Sequence, residues 1–219
     1  MFWKATDESP RMFESDFLDA FSRIPYWVVP IVFTPIIAGL VYMSLGVDEV
    51  AWYWAALQFA LGFTVWTLTE YWLHRTFFHW EPDTWWGPKL HFIVHGVHHD
   101  WFKDRYRLVM PPAVSLALGV IFFSLYWGIA ELTSGLFDPS WVYAFFAGKV
   151  VGYVNYDLTH YYIHHGRPTL SFYKKLRHHH NNHHHANPDK KFGVSFMIWD
   201  RVFGTFEVPK AERKARKTA

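Results

Sequence analysis

The 219-residue chain contains no cysteine, which excludes disulfides, thiolate metal ligands and iron–sulfur clusters. It also lacks ionisable side chains over long stretches. Ile24 to Val47, Val50 to Thr69 and Leu108 to Ala130 contain no Asp, Glu, Lys or Arg, and Pro139 to Tyr156 contains only Lys149. A glycine-rich phosphate loop and an internal repeat are missing. The formal net charge is only +2, so nothing argues for a nucleic-acid partner. Met1 to Arg23 contains acids and lacks a compact apolar core, unlike a cleavable signal peptide.

The chain is instead rich in apolar and aromatic residues, at 51% and 21%, with 13 Trp. A helix needs about 20 mainly apolar residues to cross a bilayer core. The uncharged stretches therefore predict four spans, at about 24–47, 50–69, 108–130 and 139–156; as core helices of a soluble domain they would leave too little polar surface to cover them. The loops at 47–50 and 131–140 hold acids and no Lys or Arg, and every basic residue except Lys149 flanks the spans on the other side. The positive-inside bias puts that side in the cytoplasm. Residues 1–23 read as an interfacial segment, with Phe13, Phe17, Leu18 and Phe21 on one stripe, and 206–219 as a basic tail. The predicted fold is all-α: an integral membrane four-helix bundle, 24–205, with a cytoplasmic His-rich helical cap formed by 70–107 and 157–205.

All 15 histidines fall in four clusters, every one on the cytoplasmic side. They are His74 and His79; His91, His95, His98 and His99; His160, His164 and His165; and the run from His178 to His185. Residues three and four apart share a helix face, so His160/His164, His95/His98/His99 and His180/His183/His184 can each aim imidazoles at one spot. Gathering so many imidazoles has little structural use, whereas imidazole suits Zn, Fe, Cu or Ni. About ten such ligands exceed what one ion takes and fit two. His178, His179 and His185 read as bystanders. His74 and His79, five apart, cannot share a face of an ideal α-helix; a helix end, or approach from different sides, would reconcile them.

Metals at a membrane surface without thiolates or a haem motif suggest oxygen activation on a lipid, because no side-chain acid or base removes hydrogen from an unactivated acyl carbon. The segments Glu70-Tyr71-Trp72-Leu73-His74-Arg75 with His79, His91 to His99, Tyr156 to His165, and Trp199-Asp200-Arg201-Val202-Phe203-Gly204-Thr205 resemble the fatty acid 2-hydroxylase family, within the membrane fatty acid hydroxylase and sterol desaturase superfamily. The resemblance spans roughly Pro10 to Thr205.

It implies a dimetal enzyme, with iron in the active form and zinc an alternative in purified protein, that uses O2 and two electrons to hydroxylate C2 of a fatty acyl chain, free or in a sphingolipid. It makes His74, His79, His95, His98, His99, His160, His164, His180, His183 and His184 the expected metal ligands. His91 and His165 are adjacent candidates, either ligands or outer partners, as are Tyr156 and Asp157, the latter able to orient a histidine N–H. Phe102 and Lys103 stand before Asp104 where the family often has proline and a small or apolar residue. No cytochrome b5 domain precedes the core, so the expected electron donor is separate, cytochrome b5-like or ferredoxin-like.

The runner-up activity is hydroxylation or desaturation of another lipid, a sterol or carotenoid; a metal-binding or metal-transport membrane protein is the non-enzyme alternative. A bacterial inner membrane is the favoured location, although Arg216-Lys217 weakly resembles an endoplasmic reticulum retrieval signal.

Overall fold

In the computed structural model, residues 8–207 are described, and all their regular structure is helical. A short helix α1 (Asp16–Phe21) is followed by α2 (Val28–Tyr42), which runs into a π-helical turn at Met43–Val47. Helix α3 (Trp52–Trp72) continues into a second π-helical turn, Leu73–Phe78. The expected short helix around 89–99 is a continuous helical run: α4 (Gly87–His91), a third π-helical turn (Phe92–Gly96) and α5 (Val97–Asp100). Then come α6 (Pro112–Leu132), α7 (Trp141–His165), α8 (Ser171–His185) and α9 (Ile198–Val202). Pro112 starts α6 where its missing N–H costs no hydrogen bond.

Helices α3 and α7 make the closest pair, and small residues permit it. A Cβ on Gly62 would lie 1.8 Å from the Phe145 carbonyl oxygen, and one on Gly148 would lie 2.0 Å from that of Phe59. Backbones can therefore touch, as they do where close packing replaces the hydrophobic drive between membrane helices. Helix α2 packs on the other side of α7, where Val29 and Phe33 meet Phe146, Val150 and Tyr153.

Two helical stretches among the described residues are long and apolar enough to cross a membrane, Val28–Val47 and Pro112–Leu132. The predicted spans at 50–69 and 139–156 lie in α3 and α7. Trp, Tyr and Thr in α3, and Lys149, Asn155, Asp157 and three histidines in α7, dilute their hydropathy. Most of α7 is buried by its neighbours.

Helix α1 turns Phe17 outward, 73% exposed, and Asp19 inward. Asp19 pairs with Arg23 at 2.5 Å and Arg107 at 2.9 Å, and Arg107 reaches Asp104 at 3.2 Å. The interfacial segment is thus pinned to the loop before α6 while its aromatic side stays free. Trp85, in the loop before α4, is also exposed. The first seven residues of that segment, and the basic tail beyond Glu207 with Arg216-Lys217, lie outside the described residues.

Candidate metal centre

The second π-helical turn reconciles the spacing that an α-helix could not. With i to i+5 hydrogen bonding, positions five apart come to the same side, and the His74 and His79 rings lie 5.2 Å apart. The turn before α5 likewise carries His95, which stands 4.6 Å from His99.

Ten histidines converge in two groups of five, each with its ligand atoms within 4.8 Å of one another. One group is His74, His79, His95, His99 and His183; the other is His98, His160, His164, His180 and His184. The expected trios are therefore divided. His95 and His99 serve one group while His98 faces the other, and His180 and His184 part from His183. A trio spaced i, i+3, i+4 fans over more than one direction, so on α5 and α8 the four-apart pair stays together and the remaining ring crosses over.

Backbone carbonyls set two of the rings. His74 Nδ1 donates to the Phe192 carbonyl at 2.6 Å, and His183 Nδ1 donates to that of Lys190 at 2.7 Å. With those protons committed, each Nε2 keeps a lone pair directed inward, 3.1 Å from His95 Nε2 and 3.1 Å from His79 Nε2 respectively. In the second group, His180 Nε2 stands 2.9 Å from His160 Nε2 and 3.0 Å from His184 Nε2.

These rings suit a metal rather than protons. Burial holds His99 and His160 down to about 3 and His79 and His183 to about 4, and it depresses His74, His95, His98, His164, His180 and His184 well below the ordinary imidazole value. Neighbouring imidazoles push in the same direction. Buried His98 Nε2 and His164 Nε2 have no hydrogen-bond partner. Orphaned buried nitrogens are costly, and both belong to the second group, where a bound cation would satisfy them. Either group can hold a metal ion.

The remaining candidates fall outside both groups. His91 is half-buried with its ring 6.3 Å from His79, and His165 is 5.8 Å from His164. His178 contacts Asn182 on the exposed side of α8. Asp157 does not orient a histidine: its buried carboxyl turns toward Tyr153 and the Met110 backbone. The Tyr156 ring lies 5.6 Å from His160.

Two carboxylates with no role foreseen from the sequence brace the site. Asp200 accepts hydrogen bonds from Phe192 N, Gly193 N, Thr205 Oγ1 and His179 Nε2, between 2.7 and 2.9 Å. Burial raises this carboxyl, but the bonds from His179, Thr205 and Gly193 outweigh it and hold the group below its usual value. Asp200 thereby fixes the peptide whose carbonyl orients His74. Glu70 accepts from Ser195 N at 2.9 Å and Ser195 Oγ at 2.7 Å, fastening the same loop to α3. Burial pushes Glu70 up to about 7 against those two bonds. Both acids sit inside motifs quoted above; only their carbonyl-fixing connection was invisible.

Beneath the histidines, α2, α3, α6 and α7 enclose an apolar cavity of ≈ 70 Å³. Its upper wall includes Phe78, stacked 5.4 Å from His95, and Tyr156 beside His160, so the cavity adjoins both groups.

Residues 59–205 match the family model described as fatty acid hydroxylase. The chain is 39% identical over 214 residues to a dihydroceramide fatty acyl 2-hydroxylase of Arabidopsis thaliana, spanning 96% of this chain and 85% of that one. It is 37% identical to a ceramide very long chain fatty acid hydroxylase of Saccharomyces cerevisiae, over 90% of this chain and 49% of the yeast protein. Identity to the fatty acid 2-hydroxylase of Homo sapiens is 34%, over 94% of this chain and 59% of the human one. A solved structure of full-length Scs7p, in which only the hydroxylase domain is visible, superposes with a TM-score of 0.80 at 37% identity, covering 89% of this chain and 71% of that chain.

Proposed function

The chain belongs to the fatty acid hydroxylase family, and from that premise we propose that it hydroxylates C2 of fatty acyl chains, free or carried in a sphingolipid such as ceramide, using O2 and electrons from a separate donor. The observation that carries this reading is the contact of one apolar cavity with both histidine groups through Phe78 and Tyr156. The ten grouped histidines are the metal ligands in this reading, five for each of two ions, with iron in the active enzyme. Bound there, the metals supply the oxidising power that an unactivated C–H bond requires.

The protein's own residues supply position. The Phe192 and Lys190 carbonyls, with Asp200 and Glu70 behind them, hold the imidazoles in one tautomer and orientation. The cavity walls hold the alkyl chain below the site and exclude water. A carbon near the lipid head group then comes to the histidines while the tail runs down among the helices. Helices α2, α3, α6 and α7 span the bilayer in this arrangement, the histidines lie on the basic cytoplasmic side, and a cytochrome b5-like or ferredoxin-like donor docks there.

The test is product analysis with the purified, iron-loaded protein, a chemical reductant, ¹⁸O2 and either a fatty acid or a ceramide. One ¹⁸O atom at C2 supports the reading. Oxygenation at another carbon, or only of a sterol or carotenoid, rejects it.

A further inference from the structure

The two histidine groups have five rings each but not the same surroundings. In the first, the outer nitrogens of His74 and His183 donate to the Phe192 and Lys190 carbonyls at 2.6 and 2.7 Å. His79 and His99 are half-buried, and among the described residues no ring nitrogen of this group is enclosed without a partner. In the second group His180 Nε2 meets His160 Nε2 at 2.9 Å and His184 Nε2 at 3.0 Å, so the outer nitrogens of these three rings are the Nδ1 atoms. All three Nδ1 atoms are buried and have no hydrogen-bond partner.

We propose that the two groups differ in affinity: the group of His74 takes the first metal ion, and the group of His98 takes the second and holds it roughly 10- to 100-fold more weakly. The inference rests on the reading of both groups as metal sites and is independent of which lipid is hydroxylated. A close contact between two imidazole nitrogens needs a proton between them, so in the metal-free second group at least one of the three rings carries its proton on Nε2. A neutral imidazole ligates through a bare nitrogen, so a cation seated among these Nε2 atoms leaves all three protons on Nδ1. There they meet no acceptor, and a buried donor left unpaired subtracts from the binding that put it there. His74 and His183 already carry their protons on Nδ1, donated to carbonyls, with Nε2 bare. The first group is thus set for a metal before one arrives, and the second must change to receive it. When metal is scarce, a chain holding one ion has filled the group of His74 and lacks the other.

The experiment titrates zinc into the purified full chain, stripped of metal in detergent, and reads the heat of binding. Two steps of one ion per chain are expected, with dissociation constants about 10- to 100-fold apart. Replacing His160 and His164 by Ala should remove the weaker step, and replacing His74 and His183 by Ala the tighter one. Asp200→Asn, which frees the Phe192 carbonyl, should weaken the tighter step alone. Should the alanine variants fail to fold, wild type crystallised with one equivalent of zinc gives the order directly: anomalous scattering is expected among His74, His79, His95, His99 and His183. A single two-ion step, the reverse assignment of the steps, or one equivalent shared evenly between the groups overturns the inference while leaving both metal sites and the hydroxylation reading in place. Wild type that binds no zinc at either group overturns the metal reading as well.

Discussion

His99 and His184 lie nearly parallel, their ring centroids 4.2 Å apart and their planes 23° from one another, although each belongs to a different histidine group. The two groups thus share a wall of stacked imidazole. They are adjoining halves of one site, and the helical run at 92–100 and α8 each contribute to both.

Because the halves draw on different residues, they can be emptied separately. Replacing His160 and His164 by Ala removes two members of one group and none of the other. We expect the purified double variant to hold about half the wild-type metal, measured by elemental analysis, and to make no hydroxylated product. His178→Ala, on the exposed side of α8 and outside both groups, should keep the full metal content.

Lowering pH should destabilise the metal-free protein. His79 and His183 are held to about 4 and His99 and His160 to about 3, against an unfolded value near 6.5. Below that value the unfolded chain binds protons that the folded chain does not, so stability is full above pH ~6.5 and declines as pH falls toward 4. Melting temperature in detergent should therefore drop steadily from pH 7 to pH 5, and bound metal, which competes with those protons, should be released over the same range.

Asp200→Asn tests the brace behind His74. Asparagine keeps one acceptor oxygen where the carboxylate serves four donors, so Phe192 and its carbonyl lose their fixed position. Metal affinity should fall roughly 10- to 100-fold, as for other outer partners of metal ligands, and the melting temperature should drop with it. Isothermal titration of the metal-free variant measures the first, and a thermal scan the second.

Gly148→Ala tests the α3–α7 contact. Its Cβ would lie 2.0 Å from the Phe59 carbonyl oxygen, a backbone atom that cannot swing aside, so the helices must separate. We expect a loss on the order of 1–3 kcal/mol, seen as a lower melting temperature and earlier aggregation in detergent.

Much of this was legible in the sequence. The uncharged stretches located the four long helices, and the clustering of every histidine announced the centre. Lys149 stood out as an isolated charge. What could not be read was register. Hydrophobic periodicity carries no mark of a π-helical turn, so nothing in the residues themselves showed that His74 and His79 would share a side. Nor does spacing say that His98 and His183 cross to the group opposite their neighbours, which depends on how α5 and α8 pack. Asp200 and Glu70 act through the Phe192 and Ser195 backbone, distant in sequence from His74, and such contacts exist only once the chain is folded.

The ligand shell of the two histidine groups is the most direct test. X-ray absorption on the iron-loaded wild-type protein, combined with metal analysis, should give two ions per chain, each surrounded chiefly by imidazole nitrogen from the protein. One ion per chain, or a shell dominated by carboxylate oxygen, would contradict it.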